Sequence, residues 1–404
     1  MLLLTKCVSL SLILKLRYYR NTITSNLIEF IFNTMQQTHH LPTGTLQLNI
    51  HHSELPPDAL FGIGARDNPK RAFLFVSKVL GKHYPVDTET LGHIYQSLAA
   101  KLPAPKSKIT LFIGMAETAT ALAQGVFEAW LKRYPQAQAL YLHSSRLRAQ
   151  GHALCEFEES HSHASRQLLH LPASPRLSAL FQQAQRLVLI DDELSTGRTF
   201  QQLHQALQRH LPQPLEQHWL CLTDFCRQDT PDIQRHSLLQ GDWHFTPHPS
   251  IADTAPAAAA QSREAPQIID SGCGRTGIDR PLHINPEQIA HYAAAHRSGE
   301  RVLVLGTGEY IHPATLFAQG LAAQSAAQFF LQSSTRSPAQ VWNILQHKRA
   351  FADPYDEGIP YYLYNLAAPD CYDRIYICHE HAANSALSAC AAELGAQLIR
   401  PEFL

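Results

Sequence analysis

Apolar residues along the chain fall in short continuous blocks rather than long alternating ones. Lys108–Met115 (KITLFIGM), Ala139–His143 (ALYLH), Arg186–Ile190 (RLVLI) and His218–Phe225 (HWLCLTDF) are too short for globular helices. Their lack of a polar face predicts strands covered on both sides. Between them, Thr120–Arg133 and a segment from about Thr199 to His210 carry apolar residues at helical spacing. Strands alternating with helices predict a parallel, doubly wound sheet. The same alternation returns later in the chain. Gln267–Ile269, Arg301–Leu305, Ala327–Leu331, Arg374–Cys378 and Ala396–Ile399 read as strands, and Pro286–Ala295 and Ser337–Gln346 as helices. The expected fold class is therefore α/β throughout, with a second, smaller α/β domain after the first.

Ile251–Pro266 (IADTAPAAAAQSREAP) has no apolar periodicity and reads as a linker. It divides the chain into residues 35–250 and 267–404. Residues 1–34 precede both. Their apolar start, MLLLTKCVSLSLILKL, is short for a bilayer span, lacks a small-residue cleavage site and runs directly into RYYR. Met35 opens MQQTHHLPTGTLQL like an ordinary start, so 1–34 is expected to be a dispensable extension or a mis-assigned upstream start. No membrane association is expected, and a cytoplasmic location is.

The two halves also share an order of features. A strand enters Gly114 and another enters Gly306. The next strands end at Ser144-Ser145-Arg146 and Ser334-Thr335-Arg336, and RLVLIDDE parallels RIYICHEH. Offsets of 192, 190 and 188 residues nearly agree, as in a degenerate internal repeat. Any two α/β units look alike at this level, so chance likeness stands beside duplication.

Composition narrows the function. Hydrophobic residues make up 45% and charged residues 17%, which fits a globular protein and excludes disorder. A net charge of −1 argues against general nucleic-acid binding, which needs a basic surface. The eight cysteines form no CxxC pair, consistent with reduced thiols. The 24 histidines are scattered.

The chemistry concentrates in Leu187–Thr199 (LVLIDDELSTGRT). An apolar strand ends in Asp191 and Asp192, at the sheet edge where open α/β folds bind ligands. Two adjacent carboxylates can accept hydrogen bonds from vicinal ribose hydroxyls. Ser195, Thr196, Gly197, Arg198 and Thr199 then open a helix, and backbone N–H groups at a helix start form an anion site. Gly197 permits close backbone approach, and the hydroxyls add donors. Ile113–Thr120 (IGMAETAT) is a second strand-to-helix loop of small residues.

These motifs, with the strings GIGARDNPKRAFLFVSKVLGKH, EESHSHA and STRSP, resemble type I phosphoribosyltransferases. Within that family they look like the orotate-phosphoribosyltransferase-like branch with a C-terminal TRSP domain, found in bacterial tellurium-resistance and stress operons. The resemblance covers nearly everything from Phe61 onward. It implies a parallel sheet flanked by helices, and a substrate 5-phosphoribosyl-1-pyrophosphate (PRPP) bound with Mg²⁺. No metal ion is then held by the protein alone. It implies that Asp191 and Asp192 hold the ribose hydroxyls, that Ser195–Thr199 hold the 5-phosphate, and that the backbone of Glu117, Thr118, Ala119 and Thr120 faces the pyrophosphate. Arg198 departs from the small residue common there, and Ser195 replaces an Asp of the purine-salvage branch, arguing against a hypoxanthine/guanine enzyme.

By the same resemblance Ser145–Leu168 is a lid, with Arg146, Arg148, Glu159, His161 and His163 as catalytic candidates. Phe61–Pro85 is a hood, with Arg66, Asn68, Lys70 and Arg71 as candidates for the acceptor pocket. The residues alone equally allow one amphipathic helix with a basic face there. In the second domain Arg275, Glu309 and Arg336 stand out as candidates. At Cys378–Ala386 (CHEHAANSA), His379 and Glu380 replace the acids and the loop is lost, so no PRPP is expected there. The expected function is phosphoribosyl transfer to an unidentified small-molecule acceptor, making a nucleotide- or nucleoside-like metabolite. A PRPP-binding regulator, the reverse cleavage and a scaffold for an operon-encoded complex remain as rivals. A homodimer and operon-encoded protein partners stay open.

Overall fold

The computed structural model describes residues 35–404 except 67, 69–70, 153, 159–165, 173, 249–266, 356–357 and 367–370. The 1–34 extension and the 251–266 linker therefore lie outside the described residues. In the first half the strands are β1 (Met35–Leu41), β2 (Gly44–Ser53), β3 (Phe61–Ala65), β4 (Phe73–Ser77), β5 (Val86–Asp87), β6 (Thr110–Gly114), β7 (Ala139–Ser145), β8 (Arg148–Ala149), β9 (Leu154–Glu158), β10 (Arg166–His170), β11 (Arg186–Leu194), β12 (Glu216–Asp224) and β13 (Ile233–Pro247). Its main helices are α1 (Thr88–Lys101), α2 (Thr120–Arg133), α3 (Pro175–Gln182) and α4 (Arg198–Gln208). The second half holds β14 (Gln267–Ile268), α5 (Pro286–Ala293), β15 (Arg301–Gly306), α6 (Ile311–Gln324), β16 (Gln328–Ser333), β17 (Lys348–Phe351), β18 (Tyr361–Tyr364), β19 (Arg374–Cys378), α7 (Ser385–Leu394) and β20 (Gln397–Ile399).

The first half is a nine-stranded sheet in the order β1-β2-β13-β12-β11-β6-β7-β10-β9. Its centre, β13 to β7, is parallel, and antiparallel strands close both edges. The strand period of two explains why the Leu187–Ile190 stretch of β11 has no polar face. Leu187 and Leu189 pack with Phe181, Phe200 and Leu203 of α3 and α4. Val188 and Ile190 face the opposite layer, with Ile94 and Leu98 of α1 and Phe127 and Trp130 of α2. Local signals start the helices. The Asp87 carboxylate accepts from Thr90 N at 2.8 Å, and Ser174 caps α3 with Pro175 at its first turn.

The second sheet runs β20-β19-β15-β16-β5. Four of its strands are parallel, and the fifth, β5, comes from the first half and pairs antiparallel to β16. The order β20-β19-β15-β16 reproduces β12-β11-β6-β7, with the same parallel sense. The internal repeat read from the offsets is thus matched in topology. Helices α2 and α6 hold the same place in each unit and pack against one another, with His312 Nε2 2.9 Å from Glu128 Oε1. One apolar core runs from Leu91 and Phe127 through Ile311 and Phe317 to Tyr376, joining the halves.

Two expectations fail. Of the two readings of Phe61–Pro85, the amphipathic helix fails, since Phe61–Ala65 and Phe73–Ser77 form the antiparallel hairpin β3–β4. Phe73–Ser77 is buried throughout, because each face of the hairpin meets a different half. Phe75 stacks on Phe225 at 4.5 Å, while Leu74 and Val76 pack with Ala339, Leu345 and Tyr364. Ser337–Gln346 is not a helix either. Its backbone is taken up elsewhere: Tyr364 Oη donates to Ser337 O and accepts from Ala339 N, both at 2.7 Å, and Gln340 N donates to Ala65 O at 2.8 Å. Among the described residues, no helix is long and apolar enough to cross a membrane.

Candidate functional site

Strand β11 continues past Ile190 through Asp191, Asp192 and Glu193 to Leu194, so the acids sit on its carboxyl end. Asp192 N donates to Asp191 Oδ1 at 2.9 Å. Burial pushes the Asp192 carboxyl up to about 6, against the hydrogen bonding of Asp191 that lowers it. The next acid, Glu193, is held by Arg71, whose Nη2 donates to Oε2 at 2.9 Å. Arg71 in turn lies over the Phe73 ring, 4.6 Å from its centroid. Beyond the acids the chain turns at Gly197, φ 74°, and α4 begins at Arg198. The N-cap Gly197 has no side chain to cap α4; Arg198 N makes a long contact of 3.5 Å to Thr196 Oγ1, and the helix start faces the loop. Gly197 is buried, Ser195, Thr196 and Thr199 are half-buried, and the Arg198 side chain is exposed.

The loop after β6 lies beside it, with Met115 N donating to Ile190 O at 3.0 Å. Ala116 N donates to Ser144 Oγ at 2.8 Å, and Gln167 Nε2 donates to Ala116 O at 2.9 Å. Of the four residues expected to offer backbone donors here, Ala119 has its N–H on Met115 O at 3.0 Å, closing the turn into α2. Glu117 instead directs its carboxylate to Lys82 and, at 3.3 Å, to Arg336 Nε of the second half. Burial alone would raise the Glu117 carboxyl, but Lys82 and Arg336 outweigh it and hold it below its usual range. Thr120 Oγ1 donates to Glu309 O at 3.2 Å.

In the segment expected as a lid, the described residues include β8, which pairs with β14 of the second half, and β9 and β10, which close the edge of the large sheet. Arg148 lies 3.5 Å from Glu156, both half-exposed. Arg146 N donates to Glu309 Oε1 at 2.6 Å. Glu159, His161 and His163 lie outside the described residues. In the hood, Arg66 Nε donates to Arg71 O at 2.8 Å, and Asn68 Oδ1 accepts from Arg71 N at 3.4 Å. Lys70 lies outside the described residues.

Arg275 and Glu309 meet in a buried cluster between the halves. Arg275 Nη1 donates to Glu380 at 2.6 Å and to Asp270 at 3.1 Å, Nη2 reaches Glu309 at 3.3 Å, and Nε donates to Ser145 Oγ at 3.1 Å. Ser145 Oγ also donates to Glu309 Oε2 at 2.6 Å. Although burial opposes it, Arg275 holds the Glu380 carboxyl down at about 2. Sequence reasoning missed Lys82, Glu193, Ser144 and Asp270 as members of these networks. The signal for Lys82 was present only as one basic residue in a basic run. Glu380, read as the relic of an acid pair, is a structural anion. No group of three or more His, Cys, Asp or Glu that could hold a metal ion occurs among the described residues.

The fold and site define a class: a doubly wound α/β unit with an acid pair and an uncapped, glycine-turned helix start at the carboxyl edge, beside a second small-residue loop. Residues 60–242 match the model of a phosphoribosyl transferase family, and residues 273–396 match the TRSP domain that stands C-terminal to it. The chain thus carries a domain of this phosphoribosyl transferase family followed by a TRSP domain. Among solved structures it is similar to the adenine phosphoribosyl transferase of Trypanosoma brucei, determined with AMP, pyrophosphate and ribose-5-phosphate. The identity is 11% over 54% of this chain and 91% of that one, with a TM-score of 0.33. No curated protein matches the chain.

Proposed function

We propose that the chain binds PRPP and transfers its phosphoribosyl group to a small-molecule nucleophile. The observation that carries this reading is the placement of Asp191 and Asp192 at the end of β11, directly before the uncapped start of α4. In this reading the two carboxylates accept from the ribose hydroxyls, and the Ser195–Thr199 backbone and hydroxyls donate to the 5-phosphate. The loop after β6 borders the pyrophosphate. The bond from C1 to pyrophosphate oxygen breaks, and a bond from C1 to the acceptor forms. The acceptor's proton passes to solvent or to a base. Charge on the departing group is stabilised by fixed donors, and holding both reactants in line supplies the rest.

The carboxylates of Asp191 and Asp192 at the mouth suit a hydrated Mg²⁺ carried in by the substrate's oxygens. When bound, such an ion neutralises pyrophosphate charge. The protein's part is to hold the sugar and the phosphate.

The test is calorimetric titration of PRPP with Mg²⁺ into the Met35–Leu404 chain, beside Asp191→Asn/Asp192→Asn. Saturable binding lost in the double variant is expected, followed by pyrophosphate release in an acceptor screen. Binding without turnover under any acceptor would leave a PRPP-responsive regulator. No binding with or without candidate acceptors would overturn the reading.

A further inference from the structure

We infer that Arg71 is a positioning residue: through Glu193 it fixes the strand end that carries Asp191 and Asp192, and so sets both carboxylates for the ribose. This rests on the phosphoribosyl reading above.

The acid pair sits where β11 has lost one neighbour. On the β6 side the pairing stops at Ile190 with Gly114, while on the β12 side it runs on to Leu194 with Asp224. A strand paired along one edge can still rotate about its own axis. Side chains alternate along a strand, so Asp191 and Glu193 fall on one face and Asp192 on the other. Rotation would carry the two acids in opposite directions, and vicinal hydroxyls, which need both, would lose one. Holding Glu193 stops that rotation. Arg71 does so, with its Nη2 2.9 Å from both carboxylate oxygens of Glu193.

Arg71 is itself a fixed point. Its guanidinium carbon stands 4.6 Å from the centre of the Phe73 ring and 5.5 Å from those of Phe75 and Trp243. Rings on several sides of one cation leave it few positions. The turn that carries it is closed by Arg66 N on Ala72 O at 3.2 Å and by Arg66 Nε on Arg71 O at 2.8 Å. The hairpin β3–β4 is gripped from both halves. Phe75 stacks on Phe225, whose N–H donates to Leu194 O at 2.8 Å. From the second half, Gln340 N donates to Ala65 O at 2.8 Å and Asn343 Nδ2 to Ile63 O at 3.3 Å. Ile344 lies so close to Gly62 that a Cβ there would stand 2.4 Å from its Cδ1. The Arg71 and Glu193 side chains are only 14% and 16% exposed, which separates them from surface ion pairs that contribute little. Their two charges offset one another, so what the pair supplies is geometry rather than attraction for phosphate.

The experiment titrates the full chain with PRPP and Mg²⁺, with ribose 5-phosphate, and with inorganic pyrophosphate and Mg²⁺, which has no ribose. Arg71→Met keeps an apolar stem among the rings and removes the tether. It is expected to weaken PRPP and ribose 5-phosphate about tenfold and to leave pyrophosphate unchanged. Arg71→Lys should recover part of the loss. Glu193→Gln decides between position and charge. Removing a carboxylate beside a polyanion would tighten every ligand if charge alone counted, whereas a slackened tether weakens the two that carry ribose, by about threefold or more. The Arg71→Met/Glu193→Gln chain should bind no worse than Arg71→Met, because both changes cut the same link. Glu193→Gln alters few atoms and keeps the test open where Arg71→Met fails to fold. Unchanged ribose 5-phosphate affinity in Arg71→Met, tighter binding in Glu193→Gln, or losses that add in the double variant would each overturn the inference. So would an equal loss for pyrophosphate, which marks a general loosening of the site. An unmutated chain that binds neither PRPP nor ribose 5-phosphate would remove the phosphoribosyl reading itself.

Discussion

Trp219 on β12 closes the space beneath Gly197, so that a Cβ built on the glycine would stand 2.7 Å from the indole Cζ3. With φ at 74°, the position also carries the left-handed penalty for any L side chain. Gly197→Ala should cost about 1–2 kcal/mol for the backbone alone, and more if Trp219 must shift. The helix start would move with it, so PRPP affinity should fall more steeply than stability. Thermal unfolding and titration on the same sample check both.

Asp192 gives a pH dependence. Burial raises its carboxyl from 3.8 to about 6. The folded chain then keeps a proton that the unfolded chain has lost, so this group weakens the fold as pH rises from about 4 to about 6. Ligand binding runs the other way, because ribose hydroxyls need the ionised acceptor. At pH 5 roughly a tenth of the molecules would carry that carboxylate, and PRPP affinity should fall about tenfold from its value above pH 7. Titrations between pH 5 and 8 should show this slope, and Asp192→Asn should flatten it.

The buried pair Lys82–Glu117 should be costly to break from one side. Lys82→Met leaves the buried Glu117 carboxylate without its ammonium partner, and a loss of about 3–5 kcal/mol is expected. Lys82→Met/Glu117→Gln removes both charges and should recover much of it. Urea denaturation of the two variants decides. Equal destabilisation would mean that the cost comes from lost packing.

The halves should not survive separation. A chain ending at Pro247 would expose the outer face of the β3–β4 hairpin, where Leu74 and Val76 now meet Ala339, Leu345 and Tyr364. It would also leave β5 without β16 and α2 without α6. Such a fragment is expected to aggregate or bind an apolar dye, and the complementary 266–404 fragment would lack its fifth strand. Gel filtration and circular dichroism of each fragment check this. Two well-folded monomers would contradict the shared core.

The sequence by itself determined the parts whose information is local. Continuous apolar runs marked β6, β7, β11, β12, β15, β16 and β19, because burial on both faces leaves few polar positions, whereas β17 and β18 carried no such signal. Helix α2 was legible to its ends, Thr120 and Arg133. The acid pair and the glycine turn of Leu187–Thr199 were legible because their chemistry is carried by adjacent residues. Partners distant in sequence were not legible. That Glu117 meets Arg336, 219 residues away, and that Arg275 gathers Asp270, Glu309 and Glu380, follows only from the face-to-face packing of the repeated units. The same packing holds the hairpin β3–β4 and unwound the expected helix at Ser337–Gln346. In both places groups found partners distant in sequence, Phe225 for Phe75 and Tyr364 for Ser337 and Ala339 within a half, Ala65 for Gln340 and Ala339 for Leu74 across the halves, and local propensity yields to such contacts.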